Sequence, residues 1–141
     1  MRPRGVPLKG ILLVSHDKDL RRQVHACLSA VGIAPSALTT VRNGDEGLAA
    51  VTKGRPRLVV LDDSISHLDG PGLLRTLHQQ VPEALVVYLT TQHTLELERA
   101  VRQLGVLYYT EKPPDALLFE KVLATVFATT DKTMRESGTY W

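Results

Sequence analysis

Three kinds of residue in this chain stand where short apolar runs end, and together they suit the handling of a phosphoryl group. Asp62 closes Leu58-Val59-Val60-Leu61, Thr90 and Thr91 close Ala84 to Leu89, and Lys112 follows shortly after Val106 to Tyr109. A carboxylate can attack phosphorus, while a hydroxyl and an ammonium can hold the oxygens of the group it receives. A further run, Gly10 to Val14, ends in Ser15, His16 and Asp17, a hydroxyl, an imidazole and a second carboxylate. Asp63 adjoins Asp62, but side chains alternate along a strand, so it is expected on the opposite face. One acid after a strand is as often just a loop cap. The weight comes from several such positions in one chain.

These residues can act together only if the runs are strands of one parallel sheet. Between the runs, apolar residues recur at three- and four-residue spacing, the mark of helices with one buried face. Leu20, Val24, Cys27, Leu28 and Val31 form such a stripe from Asp17 to Val31, and Gly32 stops it. Ala37 to Val41 reads as a weaker strand, Asn43-Gly44 as a turn, and Asp45 to Thr52 as a second helix that buries Leu48 and Val51. Gly72 to Val81 reads as a third helix ended by Pro82, after a loop through Gly70-Pro71. Leu97, Val101 and Leu104 line a fourth helix from about Leu95, with Leu95 itself off the stripe. The fifth helix is expected to run to about Phe127 with Leu117, Leu118, Val122, Leu123 and Val126 inward.

Five strands alternating with five helices predict a doubly wound, three-layer α/β sandwich around a five-stranded parallel sheet with right-handed crossovers. In such sheets ligands bind in the crevice outside the carboxyl ends of the strands, where the polar residues above fall. Residues 1–8 read as a loose lead-in, 9–127 as the domain, and 128–141 as a polar tail.

Composition narrows the classes. The chain has 141 residues, 43% hydrophobic and 23% charged, as expected for one globular domain. A net charge of +2 with scattered Lys and Arg argues against nucleic acid as a partner, despite Arg2, Arg4 and Lys9. The single cysteine, Cys27, excludes an internal disulfide and sits in a helical stripe as a small core residue. No run approaches the roughly 18 apolar residues that cross a bilayer, so no membrane contact and a cytoplasmic location are expected. Among the histidines, only His67 and His93 could approach His16, and neither has metal-ligand spacing.

Over roughly Lys9 to Phe127 the chain resembles the receiver domain of two-component response regulators, which has a flavodoxin-like fold. The resemblance rests on ILLVSHDKDL, NGDEGL, LVVLDDSISHLDG, VVYLTT and LGVLYYTEKPP. It implies that Asp62 is the phosphoacceptor, Thr90 the switch hydroxyl, Tyr109 the switch aromatic and Lys112 the phosphate-binding lysine. It further implies that Lys112-Pro113 is joined by a cis peptide bond. Two departures stand out. The family carries two acids at the end of strand one, where they hold magnesium, and this chain has Ser15 and His16. Magnesium wants hard oxygen ligands, so its binding is expected to be weakened, with Asp17 or Asp63 as the acids that could compensate. Ser66 stands where the family commonly has proline.

The resemblance implies no enzyme but a signalling switch. A histidine kinase or phosphotransfer protein would phosphorylate Asp62, and the face of fourth helix, fifth strand and fifth helix would engage an effector protein or a second copy. The alternative is a pseudo-receiver adaptor that works by protein contacts without magnesium-dependent phosphorylation. A flavin enzyme on the same sheet is disfavoured, because no Gly-rich or hydroxyl-rich phosphate loop follows strand one. No output domain is visible after Phe127, so the effector is expected to be separate.

Overall fold

The computed structural model of the chain describes residues 10–65 and 69–138, with side chains as far as Phe127. Ser66 and His67, residues 1–9 and the last three residues lie outside the described part. Five strands, β1 (Ile11–Val14), β2 (Leu38–Val41), β3 (Leu58–Asp62), β4 (Leu85–Thr90) and β5 (Tyr108–Glu111), pair in the order β2-β1-β3-β4-β5. All four pairings are parallel. The helices are α1 (Lys18–Ala30), α2 (Gly44–Gly54), α3 (Gly70–Gln80), α4 (Leu95–Leu104) and α5 (Ala116–Gly138), and one 3-10 turn, Pro35–Ala37, precedes β2.

The strands' two-residue alternation divides the core. Ile11, Leu13, Leu58, Val60, Val87 and Leu89 pack against Leu20, Val24 and Leu28 of α1 and Phe119 and Leu123 of α5. Leu12, Val14, Val59, Leu61, Val86 and Tyr88 face the other way, against Val51 of α2, Leu74 and Leu77 of α3 and Val101 of α4. Cys27 is a buried member of the first cluster. Strands buried on both sides explain why β1 and β3 read as unbroken apolar runs.

The helices begin where short polar side chains can satisfy the first free N–H groups. Asp17 caps α1, accepting from the N–H of Asp19 at 2.9 Å and of Leu20 at 3.1 Å. Asn43 accepts from Glu46 N–H at 2.8 Å, and the Glu46 carboxylate reaches back to Arg42 N–H at 3.0 Å. Thr94 caps α4 through Leu97 N–H at 3.0 Å.

Several expectations need correction. Gly70-Pro71 is not a loop but the opening of α3, with Asp69 as its cap. Proline is tolerated there because its missing N–H would have had no partner in the helix. Gly70 is required at that point, since a Cβ would collide with the Tyr88 hydroxyl. β5 lies two residues later than its apolar content predicts, because Thr110 and Glu111 still pair with Leu89 and Thr90 through the backbone. The α5 stripe is Phe119, Leu123 and Val126, while Leu117 and Leu118 are 69% and 47% exposed. The helix itself continues to Gly138, past the end near Phe127 that the apolar stripe suggests.

Candidate functional site

Parallel strands deliver their carboxyl ends to one edge, and of the polar residues expected there Ser15, Asp17, Asp62 and Lys112 meet. Asp62, the last residue of β3, is 1% exposed and has the same side-chain direction as Leu58 and Val60, toward α1 and α5. Its carboxylate receives four hydrogen bonds. The Ser15 hydroxyl donates to Oδ2 at 2.6 Å and Lys112 Nζ donates to the same oxygen at 2.9 Å. Oδ1 accepts from Ser64 N–H at 2.9 Å and from the Ser64 hydroxyl at 2.6 Å. Burial alone would raise the Asp62 pKa, but the bonds from Ser15, Ser64 and Lys112 outweigh it and hold the group below the usual carboxylate range.

Lys112 follows β5, and its N–H bonds Thr90 O at 2.9 Å, which carries the backbone across to the crevice. The Lys112–Pro113 peptide is cis, as the resemblance implies. The Lys112 side chain is only 9% exposed, and its ammonium also meets Asp17 Oδ2 at 2.7 Å and Ser64 Oγ at 3.1 Å. Desolvation lowers the Lys112 pKa, yet the two carboxylates prevail and raise it. Asp17 therefore does two jobs. One oxygen caps α1 and the other reaches into the crevice, where the bond from Lys112 lowers its pKa. Ser15 is 3% exposed and also accepts Asp17 N–H at 3.0 Å, whereas His16 is exposed.

Asp63 does not join this group. It turns to the opposite face, as strand alternation expects, and accepts the Tyr88 hydroxyl at 2.8 Å. Burial raises its pKa, and the bonds from Tyr88 and Thr90 offset this only in part. Thr90 is fully buried at the end of β4, and its hydroxyl accepts Gln92 N–H at 3.1 Å. Its contacts run to Gln92 and Asp63, not to Asp62. Thr91 is exposed and, with Asp63, Asp69, Tyr88 and Gln92, lines a neighbouring cavity of about 440 Å3.

Tyr109 lies inward, 6% exposed, with its ring stacked on Tyr88 at 5.8 Å between centroids and 13° between planes. Its hydroxyl and His93 Nδ1 are 2.9 Å apart, and the Arg102 guanidinium sits 5.7 Å from the ring centre. His93 is thus a partner of Tyr109 and has no part near His16.

Ser64 and Tyr88 were not singled out from sequence, and His93 was weighed only as a metal ligand beside His16. Ser64 had a readable signal, since an acid followed two residues later by a hydroxyl is a local side-chain-to-backbone turn. Tyr88 had none, because an aromatic within an apolar strand looks like packing alone, and nothing in the sequence pairs His93 with Tyr109.

This arrangement agrees with the comparisons to known proteins. The family model described as the response regulator receiver domain matches residues 11–123. The chain belongs to that family. Among curated proteins it is 30% identical over 108 residues to the DNA-binding transcriptional regulator NtrC of Salmonella typhimurium (strain LT2), covering 76% of this chain and 22% of that protein. It is 32% identical over 110 residues to the C4-dicarboxylate transport transcriptional regulatory protein DctD of Pseudomonas aeruginosa, covering 77% and 23%. The chain thus spans less than a quarter of the length of these curated relatives. Among solved structures, a CheY-like receiver domain protein from Methanospirillum hungatei JF-1 superposes with a TM-score of 0.73 at 23% identity, over 89% of this chain and 98% of that one. Receiver domains are signalling domains, and they typically bind magnesium at the phosphorylation site. Among the described residues, no helix is long and apolar enough to cross a membrane.

Proposed function

We propose that this receiver domain is an atypical signalling module whose contacts with partner proteins do not depend on magnesium-assisted phosphorylation of Asp62. The observation that carries this reading is the state of the Asp62 carboxylate. Both oxygens are occupied by donors from within the chain, Ser15 and Lys112 on one and Ser64 twice on the other. A carboxylate so stabilised is a poor nucleophile, because attack must break those bonds.

The donor set also does not fit magnesium. The hard oxygens expected at the end of β1 are replaced by one buried hydroxyl, committed to Asp62, and an exposed imidazole. The two carboxylates that do face the crevice, Asp17 and Asp62, share the Lys112 ammonium at 2.7 and 2.9 Å. Among the described residues, no cluster of three or more His, Cys, Asp or Glu is placed to hold a metal ion.

The second reading, a phosphorelay receiver with Asp62 as acceptor, is favoured by the Lys112–Asp62 contact, which would place an ammonium beside an incoming phosphoryl group. In either reading the partners are a histidine kinase or phosphotransfer protein and an effector. The face of α4, β5 and α5 is the candidate contact, with Leu95 65% exposed on α4.

Incubation with a small-molecule phosphodonor, with and without magnesium and with Asp62→Asn as control, separates the readings by intact mass. We expect no phosphoryl gain beyond the control. A magnesium-dependent, near-stoichiometric gain that Asp62→Asn abolishes would overturn the first reading. The double variant Ser15→Asp, His16→Asp is expected to create or strengthen magnesium binding. If the unaltered protein binds magnesium as tightly, the account of the site is wrong.

A further inference from the structure

The rim of the crevice has the opposite charge from a cation site. Ser15, His16, Asp17, Lys18, Arg21 and Arg42 line a cavity of about 210 Å3 between the start of α1 and the turn from β2 to α2. Lys18 and Arg21 are three residues apart on α1 and so project from one side of the helix. Arg42 comes from the other wall. All three are exposed, and among the described residues none has a side-chain hydrogen bond or ion pair. Nearby cations differ: Arg22 is paired with Asp19 at 3.3 Å, and Lys112 with Asp17 and Asp62.

We propose that this rim is a binding site for a phosphate monoester or inorganic phosphate dianion. Three side-chain cations converge on a pocket with one carboxylate in its wall, and that carboxylate is already committed. Asp17 takes the N–H groups of Asp19 and Leu20 on one oxygen and the Lys112 ammonium on the other. Among the described residues no other acid lines the cavity, and the Glu46 carboxylate, in the first turn of α2, accepts from Arg42 N–H. The two arginines offer planar forks that match phosphate oxygens, and Lys18 adds a point charge beside the start of α1. Size limits the ligand. The cavity lies below the roughly 300–1,000 Å3 of sites for drug-sized molecules, so it suits a phosphoryl group and not a whole nucleotide. The group could come as free phosphate or on a phosphorylated side chain of a partner protein, and the chemistry at the rim is the same. The site does not depend on whether Asp62 accepts a phosphoryl group.

The test is an amide-resolved NMR titration of the whole chain with inorganic phosphate, and separately with a phosphoserine peptide, against sodium chloride at matched ionic strength. Saturable shifts at Lys18, Arg21 and Arg42 are expected with phosphate and not with chloride. Arg21→Gln with Arg42→Gln is expected to weaken binding about tenfold or more, the loss of one or two charge-assisted bonds. Both residues are exposed, so the unfolding midpoint should hold and a folding defect would be visible separately. A peptide that binds at least about tenfold tighter than free phosphate would assign the site to a phosphorylated partner, and equal affinity would assign it to the free anion. Shifts that do not saturate, that chloride reproduces, or that persist unchanged in the double variant would overturn the proposal.

Discussion

Asp62 and Asp63 are neighbours in the chain, yet their surroundings drive them in opposite directions. Asp62 faces α1 and α5, is almost wholly buried, and is nonetheless held as an anion below the usual carboxylate range by four bonds. Asp63 faces α2 to α4, is only half-buried, and has its pKa raised, with Tyr88 as its bonded donor at 2.8 Å. Depth of burial therefore does not by itself decide the direction in which a carboxyl pKa moves. The number of donors, and whether one is a cation, decides it. The alternation of one strand assigns the first acid to the crevice and the second to the aromatic side.

The largest break in this contrast should come from Lys112→Met. It removes the ammonium shared by Asp17 and Asp62 and leaves a buried anion without a counter-charge. Breaking such a pair costs about 3 kcal/mol or more, which urea unfolding at pH 7 would read. The sign with pH follows from the directions of the shifts. Asp17 and Asp62 have folded pKa values below their unfolded ones, near 3.9, so their stabilisation is present above that pH and lost as pH falls through the folded values. The penalty of Lys112→Met should accordingly shrink below about pH 4. A penalty that stays constant into acid would place the role of Lys112 in packing.

Asp62→Asn comes next, at about 2 kcal/mol, because the amide cannot accept all four donors while Lys112 keeps Asp17. Tyr88→Phe should cost about 1.5 kcal/mol, the loss of one hydrogen bond to a charged group, with the ring still stacked on Tyr109. Asp63→Asn should run the other way, gaining up to about 1 kcal/mol at pH 7, since the amide can still accept the Tyr88 hydroxyl without a desolvated charge. A raised folded pKa means that the contribution of Asp63 is present below its unfolded value and lost as pH rises through the folded one. The gain from Asp63→Asn should thus vanish on acidification. Equal losses for Asp62→Asn and Asp63→Asn at pH 7 would erase the comparison.

Much of this was legible in sequence, for reasons that also explain the rest. Strand β3 could be read because both faces are buried and the run is unbroken until its first charge. Asp62, Asp17 and Lys112 could be placed because a parallel alternation leaves only one edge for them. The end of β5 was not legible, since Thr110 and Glu111 pair through backbone groups that side-chain polarity does not report. Two adjacent leucines at the start of α5 outweighed the single aromatic that in fact meets the core, Phe119. The dual use of Asp17 was hidden because residue type does not report it: one carboxylate oxygen takes the α1 N–H groups and the other the Lys112 ammonium.

The smallest expected effect on stability lies on the aromatic side, at the outer surface of α4. Leu97, Val101 and Leu104 pack on the core, and Leu95 stands off that stripe with 65% of its surface exposed. Of the charges beside it, Glu98 and Arg102 hold each other at 2.8 Å, with Arg102 also over Tyr109. Arg99 and Glu96 are thus the charges that a two-fold contact on this face would pair at its rim. Leu95→Glu removes no buried contact, so unfolding should shift by no more than about 0.5 kcal/mol. It places a charge at the centre of any interface formed by α4, β5 and α5, where it would be desolvated, so self-association or effector affinity should fall while the fold persists. Sedimentation at several concentrations, paired with a binding assay for the effector, reads this directly. An unchanged mass and an unchanged affinity in Leu95→Glu would remove α4 from the contact surface and leave the crevice side to carry the recognition.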